Sequence, residues 1–254
     1  GTFVIERRGT ETFFTSLALQ GVEERVAQAV ADQKRMATPP LLTPVAAVAN
    51  SVAQRCGLNP EQEQALVAVL SAPLTVVTGG PGTGKSFFCS ALAEVATRHQ
   101  LPIVAAAPTG RAAQRLTELT GLPATTLHRL LEYQPASGEF LRTADFPLQA
   151  ALVVVDEASM LDLFLFAALL AALPLGAKLV LIGDVDQLPS VGPGQVLADL
   201  IASGIAPVVR LTQLCRRTPQ SVITVNAHRV RAGQLPLIPS DPPGRLSFCR
   251  RNGR

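Results

Sequence analysis

Leu74-Thr75-Val76-Val77-Thr78-Gly79-Gly80-Pro81-Gly82-Thr83-Gly84-Lys85-Ser86 is the stretch that decides the fold. A short apolar run ends in a glycine-rich octet, Gly79 to Ser86, that fits G-x-x-x-x-G-K-[ST], and a helical stretch follows it. Strand, phosphate loop and helix in that order predict a P-loop site for Mg·ATP. The glycines let the backbone curl so that successive N–H groups point inward at phosphate oxygens. The helix starting near Gly84 adds its positive end to the same place. Gly79, Gly80, Pro81, Gly82, Thr83 and Gly84 are the expected cradle. Lys85 is expected to put its charge on the β- and γ-phosphates, and Ser86 to ligate Mg²⁺.

Outward from the loop, short apolar runs alternate with helical stretches. Leu74–Thr78, Ile103–Ala107, Leu152–Val155, Lys178–Ile182 and Val208–Leu211 read as strands covered on both faces. Helical patterns lie near 60–70, 85–99, 110–119, 162–172 and 194–203. This βαβα alternation predicts an α/β domain, a parallel sheet flanked by helices, over residues 58–235. Residues 1–57 read as a small, mainly helical segment. One helix is expected over Glu23–Met36, ended by Thr38-Pro39-Pro40, and another from Pro44 to Cys56. Pro135 to Phe146 is expected to be an exposed excursion. A further helix is expected from Pro219 to Arg231, and residues 236–254 read as a Pro-rich linker leading into a further region.

A P-loop needs a carboxylate from a neighbouring strand, and Leu152-Val153-Val154-Val155-Asp156-Glu157 supplies one. Four apolar residues followed by two acids put those acids at the carboxyl edge of the sheet, where ligands gather. Asp156 is expected to hold Mg²⁺, and Glu157 to orient and deprotonate the attacking water. Lys178–Asp186 then reads as a buried strand followed by Gln187 and a Pro/Gly-rich loop, Leu188 to Gly194. A polar Gln just past a buried strand is placed to sense a γ-phosphate.

Composition narrows the rest. With 48% hydrophobic and only 16% charged residues among 254, disorder over most of the length is excluded. A net charge of +3 identifies no partner. Cys56, Cys89, Cys215 and Cys249 contain no C-x-x-C pair, which argues against a zinc framework and for free thiols in a reducing cytoplasm. Gly1-Thr2-Phe3 lacks the charged-then-apolar pattern of a secretion signal. The uncharged stretch Leu163 to Ala177 is shorter than the roughly 20 residues of a bilayer span and is broken by Pro174 and Gly176. It reads as a buried helix feeding a strand, so no membrane association is expected.

GDVDQLPSVGPGQVLADL, residues 183–200, resembles helicase motif III of the RecD group: the alpha subunit of exodeoxyribonuclease V and its free-standing relatives. Other stretches match the same group in order. Leu58-Asn59-Pro60-Glu61-Gln62 resembles the Q motif, Ala106 to Ala113 motif Ia, Thr126-Leu127-His128 the T-x-H segment, and VVVDEASMLD motif II. Arg210 to Arg216 resembles motif IV, and Asn226-Ala227-His228-Arg229 the run that leaves the first motor domain.

The resemblance implies a RecA-like P-loop NTPase fold over residues 58–235 and a superfamily-1 DNA helicase that moves 5′→3′ on single-stranded DNA in recombination and repair. Some members of the group are subunits of a helicase–nuclease complex. It further implies that Gln62 reads the adenine edge, Gln187 senses the γ-phosphate, and Arg216 acts as an arginine finger. Pro108, Thr109 and Arg111 would touch DNA phosphates, and His128 would either reach DNA or hold the local fold. Two departures stand out. Cys215 and Arg217 replace the aromatic and glutamine that usually flank the motif IV arginine, and nothing after residue 235 resembles motifs V and VI. The chain is therefore expected to be a first motor domain with part of the preceding segment. A reading of another class, a nucleotide-binding regulatory subunit without motor activity, accounts for the same departures. A kinase or GTPase is weaker, since no Asn-Lys-x-Asp guanine-reading motif is present.

Overall fold

Alternation along each apolar strand shows why the sheet is covered on both sides. The computed structural model describes residues 3–8, 11–35, 38–213, 226, 229–230 and 233–237. In chain order, a hairpin of β1 (Phe3–Arg8) and β2 (Glu11–Ser16) leads into α1 (Leu17–Arg35), α2 (Val45–Cys56) and α3 (Pro60–Ser71). There follow β3 (Leu74–Gly79), α4 (Lys85–His99), β4 (Ile103–Ala107), α5 (Gly110–Thr120), β5 (Ala124–Thr126) and α6 (Leu127–Leu130). A small hairpin, β6 (Tyr133–Gln134) and β7 (Glu139–Phe140), precedes β8 (Leu152–Val155) and a 3₁₀ turn at Ala158–Met160. The last elements are α7 (Leu163–Ala172), β9 (Lys178–Gly183), α8 (Val196–Ser203) and β10 (Val208–Leu211).

Six strands form one parallel sheet in the order β10-β3-β9-β8-β4-β5. Val76, Val153, Val155, Leu179 and Leu181 point into one core with Val30 of α1 and residues of α6, α7 and α8. Their strand neighbours Val77, Leu152, Val154, Val180 and Ile182 point into a second core with residues of α2, α3, α4 and α5. Residues one apart face opposite ways in a strand, so a run with no polar position is stable only between two helical layers. Each Val or Leu so buried contributes about 1.5–3 kcal/mol. The α/β reading is thus realised, with helices on both faces.

Some expectations shift. The first helix begins at Leu17 and not at Glu23, and a hairpin precedes it in the segment expected to be mainly helical. Through Val30 and through Ala49 and Val52, residues 1–57 enter both cores, and Gly1–Cys215 is one compact unit. Strand β5 adds a sixth member to the sheet that the apolar runs did not announce. Pro135–Phe146 is the exposed excursion expected, tied down by Arg142, which pairs with Glu132 at 2.6 Å and stacks over Phe146 at 4.2 Å. The apolar stretch ends as the ten-residue α7, and among the described residues no helix is long and apolar enough to cross a membrane. In the second unit, Arg216–Arg254, the Asn226 carboxamide exchanges two hydrogen bonds with the backbone of Leu237, at 2.6 and 2.7 Å. The helix expected from Pro219 falls mostly outside the described residues, as do Cys215, Arg217, Cys249 and most of the linker.

Candidate active site

The strand order brings three loops to one point on the carboxyl edge. Gly79–Ser86 leaves β3, Asp156-Glu157 leaves β8, and β9, which lies between those two strands, ends at Gly183-Asp184.

The cradle is built by its glycines. Gly82 (φ 79°) and Gly84 (φ 87°) adopt left-handed backbone that side chains disfavour, and Gly84 is the N-cap of α4. Gly79 is required for space: a Cβ there would lie 2.5 Å from the Leu211 carbonyl oxygen and 2.6 Å from Thr83 Oγ1. Thr83 is buried and its hydroxyl donates to the Gly80 carbonyl at 2.8 Å, fixing the turn. Pro81 and Ser86 are half-buried around it. Because the Gly79 contact is with backbone, Gly79→Ala is expected to cost about 1–3 kcal/mol. Thermal denaturation should therefore show a midpoint lower by several degrees, whereas an unchanged midpoint would mean that the loop can move aside.

Lys85, the first residue of α4, turns its ammonium back over the loop and donates to the carbonyls of Gly79 (2.5 Å) and Gly80 (3.1 Å). Burial pulls its pKa down, and Asp184, Glu157 and Asp156 pull it back up. Asp156 is anchored through its N–H to the Ala106 carbonyl at 3.0 Å, and its Oδ1 accepts the Glu157 N–H at 2.9 Å. Burial raises the pKa of Asp156, and burial together with the Asp156 charge raises that of Glu157; Lys85 and Arg115 oppose both shifts. Glu157 holds φ at 53°, a left-handed conformation for a residue with a side chain, which lets the chain turn sharply off β8 into the 3₁₀ turn. Two acids, a third acid at Asp184 and one lysine therefore share a partly desolvated volume, an arrangement suited to binding a metal–phosphate charge pair.

Asp184, directly after β9, joins these groups although no sequence motif singles it out. It is 2% exposed; its Oδ1 accepts the Asp186 N–H at 3.1 Å and its Oδ2 lies 3.5 Å from Gln187 Nε2. The signal was present, an acid directly after a buried strand, the same logic that selected Asp156. Gln187 itself is exposed, at the start of a loop whose Gly192 and Gly194 pack on Asp162 and Leu163 at the head of α7.

Gln62 is 1% exposed and committed locally. Its Oε1 accepts the Asn59 N–H at 3.1 Å while Asn59 Oδ1 accepts the Gln62 N–H at 2.9 Å, the reciprocal pair of a capping box. Its Nε2 donates to the Gly84 carbonyl at 3.3 Å, so this side chain braces the cradle from behind. The sequence signal of the box is N-x-x-Q, Asn59-Pro60-Glu61-Gln62, at the head of a helical pattern.

Pro108, Thr109, Arg111 and His128 lie on the same sheet edge, beyond β8. Pro108 and Thr109 follow β4, and the Thr109 hydroxyl caps α5 by accepting the Ala112 N–H at 3.3 Å. Arg111 is exposed in the first turn of that helix. His128, in α6 after β5, is exposed and sits edge-on to Tyr133 with ring centroids 5.5 Å apart and 5.9 Å from Phe140. Arg216 lies outside the described residues.

Comparison with known proteins follows the same lines. A family model described as AAA domain matches residues 57–248. The ATP-dependent RecD2 DNA helicase of Deinococcus radiodurans is 43% identical over 182 residues, which are 72% of this chain and 25% of that protein. The RecBCD enzyme subunit RecD of Mycolicibacterium smegmatis is 46% identical over 165 residues, 56% of this chain and 30% of that one. The chain thus spans less than a third of the length of these relatives. The crystal structure of Pif1 helicase from Candida albicans superposes with a TM-score of 0.53 at 25% identity, covering 70% of this chain and 45% of that one.

Proposed function

Because this chain belongs to the AAA domain family, and within it to the RecD-type helicases, we propose that it is the nucleotide-driven half of a motor on single-stranded DNA. The observation that carries the reading is the convergence on one sheet edge of the phosphate loop, Lys85, the Asp156-Glu157 pair and Asp184. The residues present fit Mg·ATP: a glycine cradle that a Cβ would obstruct, a lysine at its mouth, and a hydroxyl and carboxylate for the metal. Mg²⁺ would be held by Ser86 and Asp156 and would neutralise charge on the phosphates. Glu157 would accept the proton of the attacking water. Lys85 would stabilise the charge that develops as the γ-phosphoryl leaves. Gln187, held near Asp184, is the proposed γ-phosphate sensor, and Arg216 the proposed arginine finger. Gln62 is proposed to read the adenine edge, and its side chain also braces the cradle at Gly84.

Single-stranded DNA is the proposed track, along Pro108, Thr109, Arg111 and His128. Support comes from their position on the edge that carries the nucleotide site. Movement 5′→3′, a role in recombination and repair, and association with subunits of a helicase–nuclease complex are further proposals, on the names and resemblance of the relatives. Backbone contacts of this kind give affinity without sequence preference and with strong salt dependence. Oligo-dT binding should weaken steeply between about 50 and 200 mM salt. Arg111→Ala should lower affinity several-fold on every sequence while leaving nucleotide affinity unchanged. An Arg111→Ala chain that binds DNA as well as the parent would remove this residue from the track, and no DNA binding at low salt would leave the regulatory-subunit reading.

A further inference from the structure

The carboxylate of Glu61 is used in a way that the helix carrying it does not require. Glu61 stands in the first turn of α3, after Asn59 and Pro60, where an acid ordinarily serves only the positive end of its own helix. Here it reaches across the fold to the chain leaving β10. Its Oε2 accepts the N–H groups of Thr212 (2.7 Å) and Gln213 (3.1 Å), and its Oε1 accepts the Thr212 hydroxyl at 2.5 Å. The next residue, Gln62, is the one whose Nε2 donates to the Gly84 carbonyl of the cradle at 3.3 Å. The capping box fixes the Gln62 side chain against Asn59 at the head of the same helical turn that carries Glu61. That turn therefore touches the phosphate loop with one side chain and the exit of β10 with its neighbour. A second contact joins the same two places: β10 pairs Leu211 with Gly79, close enough that a Cβ on Gly79 would strike the Leu211 carbonyl.

We propose that Glu61 is a positioning residue that ties the filling of the phosphate cradle to the seat of the chain leaving β10. The proposal rests on the reading of Gly79–Ser86 as a nucleotide site. A shift of the loop at Gly84 moves Gln62, the rigid first turn moves with it, and Glu61 moves or tightens its hold on Thr212 and Gln213. In the sequence, Arg216 stands three positions after Gln213.

Hydrogen exchange at the Thr212 and Gln213 amides, with and without Mg²⁺ and a slowly hydrolysed ATP analogue, tests this in the whole chain. The parent protein should show these amides slowed by at least about threefold when nucleotide binds. Glu61→Ala should bind nucleotide within about threefold of the parent, exchange these amides about tenfold faster at rest, and lose the nucleotide response. Thr212→Val, which removes only the hydroxyl bond, should keep a reduced response and covers the case in which Glu61→Ala folds poorly. A purely structural Glu61 would speed resting exchange yet leave the nucleotide response intact, and that result overturns the proposal. So does a parent protein that binds nucleotide with no change at Thr212. Failure of the underlying site would appear separately, as no binding in the nucleotide titration itself, and the proposal would fall with it.

Discussion

Lys85→Ala is expected to weaken Mg·ATP binding by about 100-fold or more. Charge-assisted hydrogen bonds to phosphate are worth about 1.5–3 kcal/mol each, so loss of two corresponds to at least two decades in affinity. The lysine has a second task before any phosphate arrives. Its ammonium bonds the Gly79 and Gly80 carbonyls and faces Asp156, Glu157 and Asp184. Truncation leaves three carboxylates facing one another with less opposing charge, so the variant should also lose stability. Lys85→Arg should not restore binding, because a planar, forked guanidinium cannot take the place of a compact ammonium folded onto two adjacent carbonyls. Titration with a fluorescent ATP analogue, alongside a thermal melt to separate affinity from folding, measures both effects. An affinity within threefold of the parent in a folded Lys85→Ala chain would remove the cradle as the nucleotide site.

Glu157→Gln is expected to do the opposite: keep affinity within a few-fold and reduce turnover by about 10³, the scale of a lost general base. The substitution is chosen for the backbone. At φ 53° Glu157 holds a conformation equally awkward for Gln, so the turn off β8 is preserved and only the proton acceptor is lost. Glu157→Gly would relieve that strain as well and would confuse the two effects. Single-turnover hydrolysis of labelled ATP reads rates slow enough to compare the two proteins. If Glu157→Gln hydrolyses at the parent rate, the base lies elsewhere, and Asp184, buried beside the same lysine, becomes the next residue to replace.

The nucleotide site was legible because its parts are local. Gly79 to Ser86 carries its strand, loop and helix within a few residues, and Asp156-Glu157 ends a run too apolar to be anything but a strand buried on both faces. What escaped was set by neighbours distant in sequence. Asp184 ends an apolar strand as Asp156 does, but its place beside Lys85 depends on β9 lying between β3 and β8, an order that no run of residues states. Glu61 and Thr212 meet across a separation of 151 positions, beyond any periodicity. Ala124–Thr126 is a strand only because β4 offers it an edge; three half-buried residues carry no pattern by themselves. The hairpin before Leu17 escaped for a different reason. Phe3-Val4-Ile5-Glu6-Arg7-Arg8 and Glu11-Thr12-Phe13-Phe14-Thr15-Ser16 carry apolar and polar residues in blocks, with no period of two to mark a strand.

The most direct test of the account is a crystal structure of this chain grown with Mg²⁺ and a non-hydrolysable ATP analogue. The expected result is a triphosphate lying along the backbone N–H groups of the Gly79–Ser86 loop, with Lys85 swung from the Gly79 and Gly80 carbonyls onto phosphate oxygens and the metal between Ser86 and Asp156. A nucleotide bound away from that loop, or phosphates in the loop with Lys85 still on its carbonyls and the metal held by other residues, would contradict it.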